Sequence, residues 1–377
     1  MNKIIVTFLI AAGFVYGQTS RFDSLITEGV RQIYNIEFDA AHKTFSIIQK
    51  DYPKQPAGKF FDAMILWWQI MVDVDNEDYD DQFYDKIDDV IDFCDDILDE
   101  DPGNVDAIFF KGGSLGFRGK LRSIREDFFD AALDGKDALP LVYKAYELDS
   151  TNVDVQLGLG IYNYFAAVLP EKYPVIKPFM IFFPQGDKET GIKQLENVAQ
   201  NGRYAKIEAR YFLMTSYYLY EKNNRQAMKY AEMLYNDFPN NPTFERYYGR
   251  IFVRRGNYRE ASKVFKNVLA NCVAHKPGYL DKAKREATYY IGMDYKLKNE
   301  ADSARRYFEE CYDISKRVDD NEESGFWINA ALYLGMLNDQ LDDRTAAIKY
   351  YEEVLDLKER NDSHKLAEQY LQKPYKR

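Results

Sequence analysis

Cysteine is scarce in this sequence of 377 residues. Cys94, Cys272 and Cys311 are an odd number at wide spacings, which fits neither a disulfide framework nor a zinc-ligand pattern. Buried thiols are the expectation. Long apolar runs are absent after the first twenty residues, so no transmembrane segment is predicted. No stretch is strongly basic and the formal net charge is −11, so the chain repels phosphate backbones and nucleic acid is not an expected partner. Alternating strand-like runs are few, which argues against a β or α/β fold.

Charge and apolarity are present, and both are concentrated. Hydrophobic residues make up 46% and charged residues 29%, enough to bury a large core in water. From Asp73 to Asp101 there are fifteen acidic residues and one basic residue, Lys86. That segment carries −14, so the remainder carries a balance of +3. At the start, Lys3, an apolar run from Ile4 to Val15 and Val15-Tyr16-Gly17 have the layout of a secretory signal with a small-x-small cleavage site. The expectation is cleavage after Gly17, a mature chain starting near Gln18, and a periplasmic or secreted protein. No cysteine follows the apolar run, so a lipoprotein anchor is not predicted.

The rest reads as helix: apolar residues at three- and four-residue spacing, broken by Pro, Gly and Asn-rich joints. One pattern recurs. In "YYGRIFVRRGNYREASKVFKNVL", Gly249 is followed by Gly256, Tyr258, Ala261 and Phe265. Small residues suit a close helix crossing, aromatics fill the gap beside it, and Gly256 suits the turn between helices. Gly29, Phe38, Ala41, Phe45 and Pro53 repeat it near the start. Ala227, Leu234 and Pro239 follow, then Gly292, Tyr295, Ala304 and Phe308, then Gly335, Ala347 and Tyr351.

These residues resemble the tetratricopeptide repeat, a helix–turn–helix unit of about 34 residues. The fold class implied is all-α, a right-handed α-solenoid of seven or eight repeats over 18–377, with divergent, lengthened copies in 57–200 and more regular ones in 205–360. The middle blocks "AIFFKGGSLGFRG", "LVYKAYELDSTNVDVQLGLGIYNYFAAVLP" and "FFPQGDKETGIKQLENVAQNGRY" are similar to exported bacterial tetratricopeptide proteins. They also bear a fainter likeness to the tetratricopeptide repeat protein 39 family. The resemblance implies no enzyme activity and no cofactor.

Three stretches mimic chemistry. "GDKETG" at 186–191 lacks the Gly-Lys-Ser/Thr ending of a phosphate loop, since Ile192 and Lys193 follow. It reads as a joint, with Asp187 capping a helix, Gly191 at a close crossing, Ile192 and Leu195 buried, and Phe182 and Phe183 packed on a neighbouring repeat. "GGSLG" at 112–116 matches a nucleophile elbow around Ser114, but its flanks are helical and no histidine stands in a recognisable setting. Asp73, Asp75 and Glu77 alternate like calcium ligands, yet Asp78 and Tyr84 occupy the places of the required glycine and glutamate. Ile87, Val90, Ile91, Ile97 and Leu98 instead make an amphipathic helix with an acidic outer face. Solvated surface is the leading reading there, and weak binding of cations or of a basic partner the alternative.

The predicted function is that of an exported noncatalytic scaffold holding a protein or peptide in a concave groove at the bacterial cell envelope. A carbohydrate- or small-ligand-binding protein is the alternative. A glycan reader would set Tyr or Trp side by side on the groove, and a peptide reader would set Arg, Lys or Asn there. Arg246, Arg250 and Arg254, spaced by four, form one stripe on the first helix of the best copy. Phe212, Ser216, Tyr220, Tyr289 and Lys296 belong to the same surface in neighbouring copies. Such a stripe suits a carboxylate-bearing peptide, or else pairs with acidic residues of adjacent helices.

Overall fold

A computed structural model describes residues 21–178, 180, 183–319 and 322–376. The segment 1–17, Gln18 and Phe182 lie outside the described residues, which contain helices and turns and no strand. Helices pair in chain order: α1 (21–34) with α2 (Phe38–Asp51), α3 (Ala57–Val72) with α4 (Asp80–Glu100), and α5 (Val105–Ile124) with α6 (Phe128–Leu148). Then come α7 (Gln156–Lys172) with α8 (Lys188–Asn201), and α9 (Lys206–Thr215) with α10 (Asn224–Asp237). The last pairs are α11 (Pro242–Arg254) with α12 (Tyr258–Val273), α13 (Asp281–Leu297) with α14 (Ala301–Val318), and α15 (Gly325–Gln340) with α16 (Arg344–Asp356). A single helix, α17 (Ser363–Gln372), follows them.

The chain gathers into two compact units that divide between Leu234 and Tyr235. Within each unit the pairs stack as an all-α solenoid. In the first, α4 packs on α3 and α5, α6 on α5 and α7, and α8 on α7 and α9; in the second, α12 packs on α11 and α13, and α14 on α13 and α15. First helices of successive pairs also touch one another, α3 with α5 and α5 with α7 in the first unit, α11 with α13 and α13 with α15 in the second. They form the inner layer, and the second helices form the outer one.

One contact generates the pairs. A side chain on Gly249 would meet the Phe265 ring at 2.8 Å, and one on Gly292 would meet Phe308 at 3.1 Å. Gly29 stands in the same relation to Phe45, and Gly335 to Tyr351. In every case the ring is sixteen residues downstream (29/45, 249/265, 292/308, 335/351). The ring occupies the volume a first-helix side chain would fill, and Ala41, Ala261, Ala304 and Ala347 are fully buried beside it. This is the packing of tetratricopeptide repeats.

Seven residues after each glycine the backbone turns left-handed: φ is 63° at Ile36, 73° at Gly256, 65° at Asn299 and 60° at Asp342. The next residue starts the second helix, and Asn257 and Asp343 cap theirs by accepting from Glu260 N and Ala346 N. Only one copy puts glycine at the left-handed position, where it costs least.

The middle stretch keeps the turn and changes the filling. Gly119, Glu126 (φ 64°) and the capping Asp127 repeat the spacing, but Asp134 lies where apolar packing is usual. Its carboxylate is nearly fully buried and accepts from Arg118 and Arg122. Helices α4, α5 and α6 lengthen to 21, 20 and 21 residues. In the "GDKETG" joint, Asp187 caps α8 through Thr190 N at 2.6 Å. Gly191 sits so close to α7 that a side chain there would meet Tyr164 N at 2.6 Å. Leu195 is buried, Ile192 half-buried, and Phe183 packs toward Gly135 of α6. All three cysteines are buried free thiols, and burial pushes Cys94 and Cys311 up to about 12 and Cys272 up to about 11.

Candidate functional site

The arginine stripe lies on α11 in the second unit. Asn241 caps that helix by accepting from Thr243 N and Phe244 N, and Pro242 takes its first turn, which fixes the register. Arg246 donates from Nε to Glu286 Oε2 at 2.7 Å. Arg250 donates from Nε to Oε1 and from Nη2 to Oε2, the latter at 2.8 Å. Glu286, on α13, is 1% exposed. Burial raises a carboxyl pKa, but two guanidiniums outweigh that here and hold Glu286 at about 2. The pairing with an acidic residue of an adjacent helix is therefore present.

Pairing does not exhaust the arginines. Two guanidiniums share one carboxylate, so one positive charge is in excess. Among the described residues neither Nη group of Arg246 has a hydrogen-bond partner in the protein. Arg250 also lies over the Tyr247 ring at 5.4 Å, and the exposed Arg254 continues the stripe one turn on. On α13, Tyr289 packs edge-on against Phe326 at 5.2 Å, and burial drives its hydroxyl pKa well up. The ammonium of Lys296 lies over Tyr333 at 4.7 Å.

The remaining candidates, Phe212, Ser216 and Tyr220, belong to the first unit and are set into its packing. Phe212 and Ser216 are buried. Tyr220, at the end of a π turn over Ser216–Tyr220, is half-buried with Lys172 Nζ 4.2 Å from its ring centre. The cause is α9 itself, which lies against the inner layer of its own unit. Its Tyr211 packs on Trp68 of α3 at 5.5 Å, and its Glu208 accepts from Tyr34 Oη at 2.9 Å and Trp68 Nε1 at 3.1 Å. Arg203, just before α9, pairs with Asp23 of α1. Lys120 of α5 is caged there, 4.7 Å from the Trp67 ring and 4.4 Å from that of Phe212. Burial lowers Lys120 to about 8 and raises Glu208. This cluster was not read from the sequence. Its only local signal was the paired tryptophans in an apolar run, which look like ordinary core.

The mimics resolve. Ser114 is fully buried in the middle of α5, so its Oγ is not presented to a substrate. Gly112 meets Leu141 closely as a crossing requires, whereas Gly116 faces open space and needs no glycine. The acidic segment is the amphipathic α4, with Phe83, Ile87, Val90 and Cys94 buried. Asp80 pairs with Arg125, Asp88 with Arg118 and Asp95 with Lys111. Among the described residues no group of acidic, histidine or cysteine side chains is placed to hold a metal ion, and no helix is long and apolar enough to cross a membrane.

No family model matches the chain and no curated protein matches its sequence. Among solved structures it is similar to Pseudomonas aeruginosa pilF at 14% identity and TM-score 0.44, covering 67% of this chain and 95% of the other. It is similar to human IFIT1, in the dimer with PPP-AAAA, at 12% and 0.42, covering 85% and 69%. The C-terminal part of a TPR repeat-containing protein from Cytophaga hutchinsonii aligns at 13% and 0.32, covering 90% and 98%. The tetratricopeptide-like character rests on the chain's own recurring glycine–ring contact.

Proposed function

We propose that the protein is an exported, noncatalytic scaffold at the bacterial cell envelope that holds a carboxylate-bearing peptide against the inner layer of its second unit. The observation that carries this reading is the stoichiometry on α11 and α13. Arg246 and Arg250 share the single carboxylate of Glu286, and the Nη groups of Arg246 make no hydrogen bond among the described residues. A second carboxylate can be gripped there without breaking the first pair, and guanidinium is the cation suited to that grip. Arginines on this face, with Tyr247 beside them, favour a peptide over a glycan. Export is supported by the layout of residues 3–17, and N-terminal sequencing of exported protein should find Gln18 first.

Fluorescence anisotropy with an acidic peptide ending in a free carboxylate tests the grip, and the amidated peptide is the control. Removing the cluster as a set, Arg246→Ala with Arg250→Ala and Glu286→Leu, leaves no buried charge unpaired and is compatible with folding. That variant should keep its helical circular dichroism and lose the preference for the carboxylate form. Wild-type binding should also fall steeply with salt. A folded triple variant that binds both peptides as the wild type does removes the proposal.

A further inference from the structure

Of the eleven large apolar side chains exposed among the described residues of the first unit, six lie on α6. α6 buries only Asp134, Ala138 and Ala145. Phe128 and Phe129 are 55% and 64% exposed, and Leu133, Tyr143, Tyr146 and Leu148 are exposed as well. Phe129, Leu133, Lys136, Pro140 and Tyr143 follow at the spacing of a single helix stripe, and all five are exposed. Scattered exposed apolar residues are ordinary, but Phe129, Leu133, Pro140 and Tyr143 share one face, interrupted only by Lys136, and such a face marks a surface that meets something.

A cleft of ≈ 740 Å³ opens beside this stripe and shares Pro140 and Tyr143 with it. Leu115 of α5 and Ile91 of α4 line it too, as do Lys136 and Asp137, a neighbouring pair of opposite charge on α6, and Phe183. The α4 side is acidic. Asp88 and Asp95 are held by Arg118 and Lys111, which also line the cleft, so those two cations are already neutralised. Next to them on the helix surface stand Asp85, Asp92 and Asp99, one stripe again, exposed and without a basic partner among the described residues. An apolar stripe, a cleft and an acidic stripe therefore run side by side on the outer layer.

We propose that α4 and α6 form a second docking surface, taken by a cationic amphipathic helix of a partner protein. Its apolar face would lie on Phe129, Leu133 and Tyr143 and fill the cleft, and its Lys or Arg margin would face Asp85, Asp92 and Asp99. Charge complementarity selects this occupant, because the same acidic row repels acidic helices and anionic lipid. The proposal is independent of the arginine site on α11, which lies in the other unit.

The test is anisotropy of a labelled Leu/Lys amphipathic peptide of roughly 18 residues, long enough for about five helical turns. A Leu/Glu peptide of the same pattern is the control. Asp85→Asn with Asp92→Asn and Asp99→Asn should weaken the Leu/Lys peptide by about tenfold and flatten its salt dependence. Phe129→Ser with Tyr143→Ser should weaken it comparably, and both variants alter only exposed groups. Equal binding of the Leu/Glu peptide, or unchanged affinity in both folded variants, overturns the proposal. Sedimentation provides a further check. A dimer that Phe129→Ser with Tyr143→Ser abolishes would assign the face to a second copy of this chain and overturn it as well.

Discussion

Glu208 on the inner layer of the first unit and Glu286 on that of the second, where Glu245 of α11 is buried as well, have opposite surroundings. Glu208 in the first unit is met by neutral donors, the hydroxyl of Tyr34 and the indole of Trp68, and its Oε2 has no hydrogen-bond partner among the described residues. The ammonium of Lys120 pulls its pKa down, but burial prevails and the carboxyl is raised. Glu286 in the second unit meets two guanidiniums directly and is held at about 2. Depth is similar in the two places. The number and directness of charged hydrogen bonds decide which carboxylate stays ionised, and with it which inner layer has cationic donors left to offer.

The largest expected effect breaks the second unit's side of this contrast. Arg246→Ala with Arg250→Ala leaves Glu286 buried and unpaired, which should cost about 3–5 kcal/mol in urea denaturation. Glu208→Gln, by contrast, keeps acceptors for Tyr34 and Trp68 and should be neutral or stabilising at pH 7. A double arginine variant as stable as the wild type would mean that the pair contributes nothing.

Acid titration sharpens the same contrast. Glu286 has a folded pKa of about 2, below the ordinary glutamate value of 4.5. Its contribution is therefore present above about 4.5 and lost as pH falls toward about 2. Glu208 has the reverse sign: the folded protein takes up its proton first, so lowering the pH toward 4.5 relieves a penalty. Denaturation midpoints from pH 7 to pH 3 should show the gap between wild type and Glu286→Gln shrinking in acid. The wild type should also gain on Glu208→Gln over the upper part of that range.

Packing offers the next comparison. Gly249→Leu and Ala261→Leu each force bulk into the crossing at Phe265 and should each lower stability by about 1–3 kcal/mol. Gly116→Ala in the first unit should raise it by about 1 kcal/mol, since the added methyl meets nothing and glycine is a poor helix former. Thermal midpoints measure all three, and a loss at Gly116 would contradict the open space beside it.

What could be read in the sequence was local. The glycine, alanine and ring of each regular copy lie within one helix pair, and a missing side chain opposite an aromatic is visible as spacing. The cap at Asp187 is visible for the same reason. The α5–α6 pair hid its register because the ring position, sixteen after Gly119, is Gly135, and Asp134, neutralised by Arg118 and Arg122, faces Gly119 instead. The arginine stripe was legible as helix periodicity. Its partner Glu286 lies 40 residues from Arg246 and was selected by stacking, which local spacing does not encode. Prolines also misled, since Pro140 and Pro170 sit inside α6 and α7 instead of ending them.

The bond between Tyr34 and Glu208 joins residues 174 positions apart. An ideal repeat array has only neighbour-to-neighbour contacts, so it folds from any point and tolerates loss of an end pair. The first unit is tied differently. Its opening helix packs on α2 through Gly29 and Phe45, but the bond from Tyr34 waits until the fifth pair has emerged, and closing so long a loop is entropically slow. A chain that folds as it emerges N-terminus first would hold α1 and α3 with their inner faces open for that interval. Deleting the first pair would then loosen α9, four pairs downstream, more than its immediate neighbours.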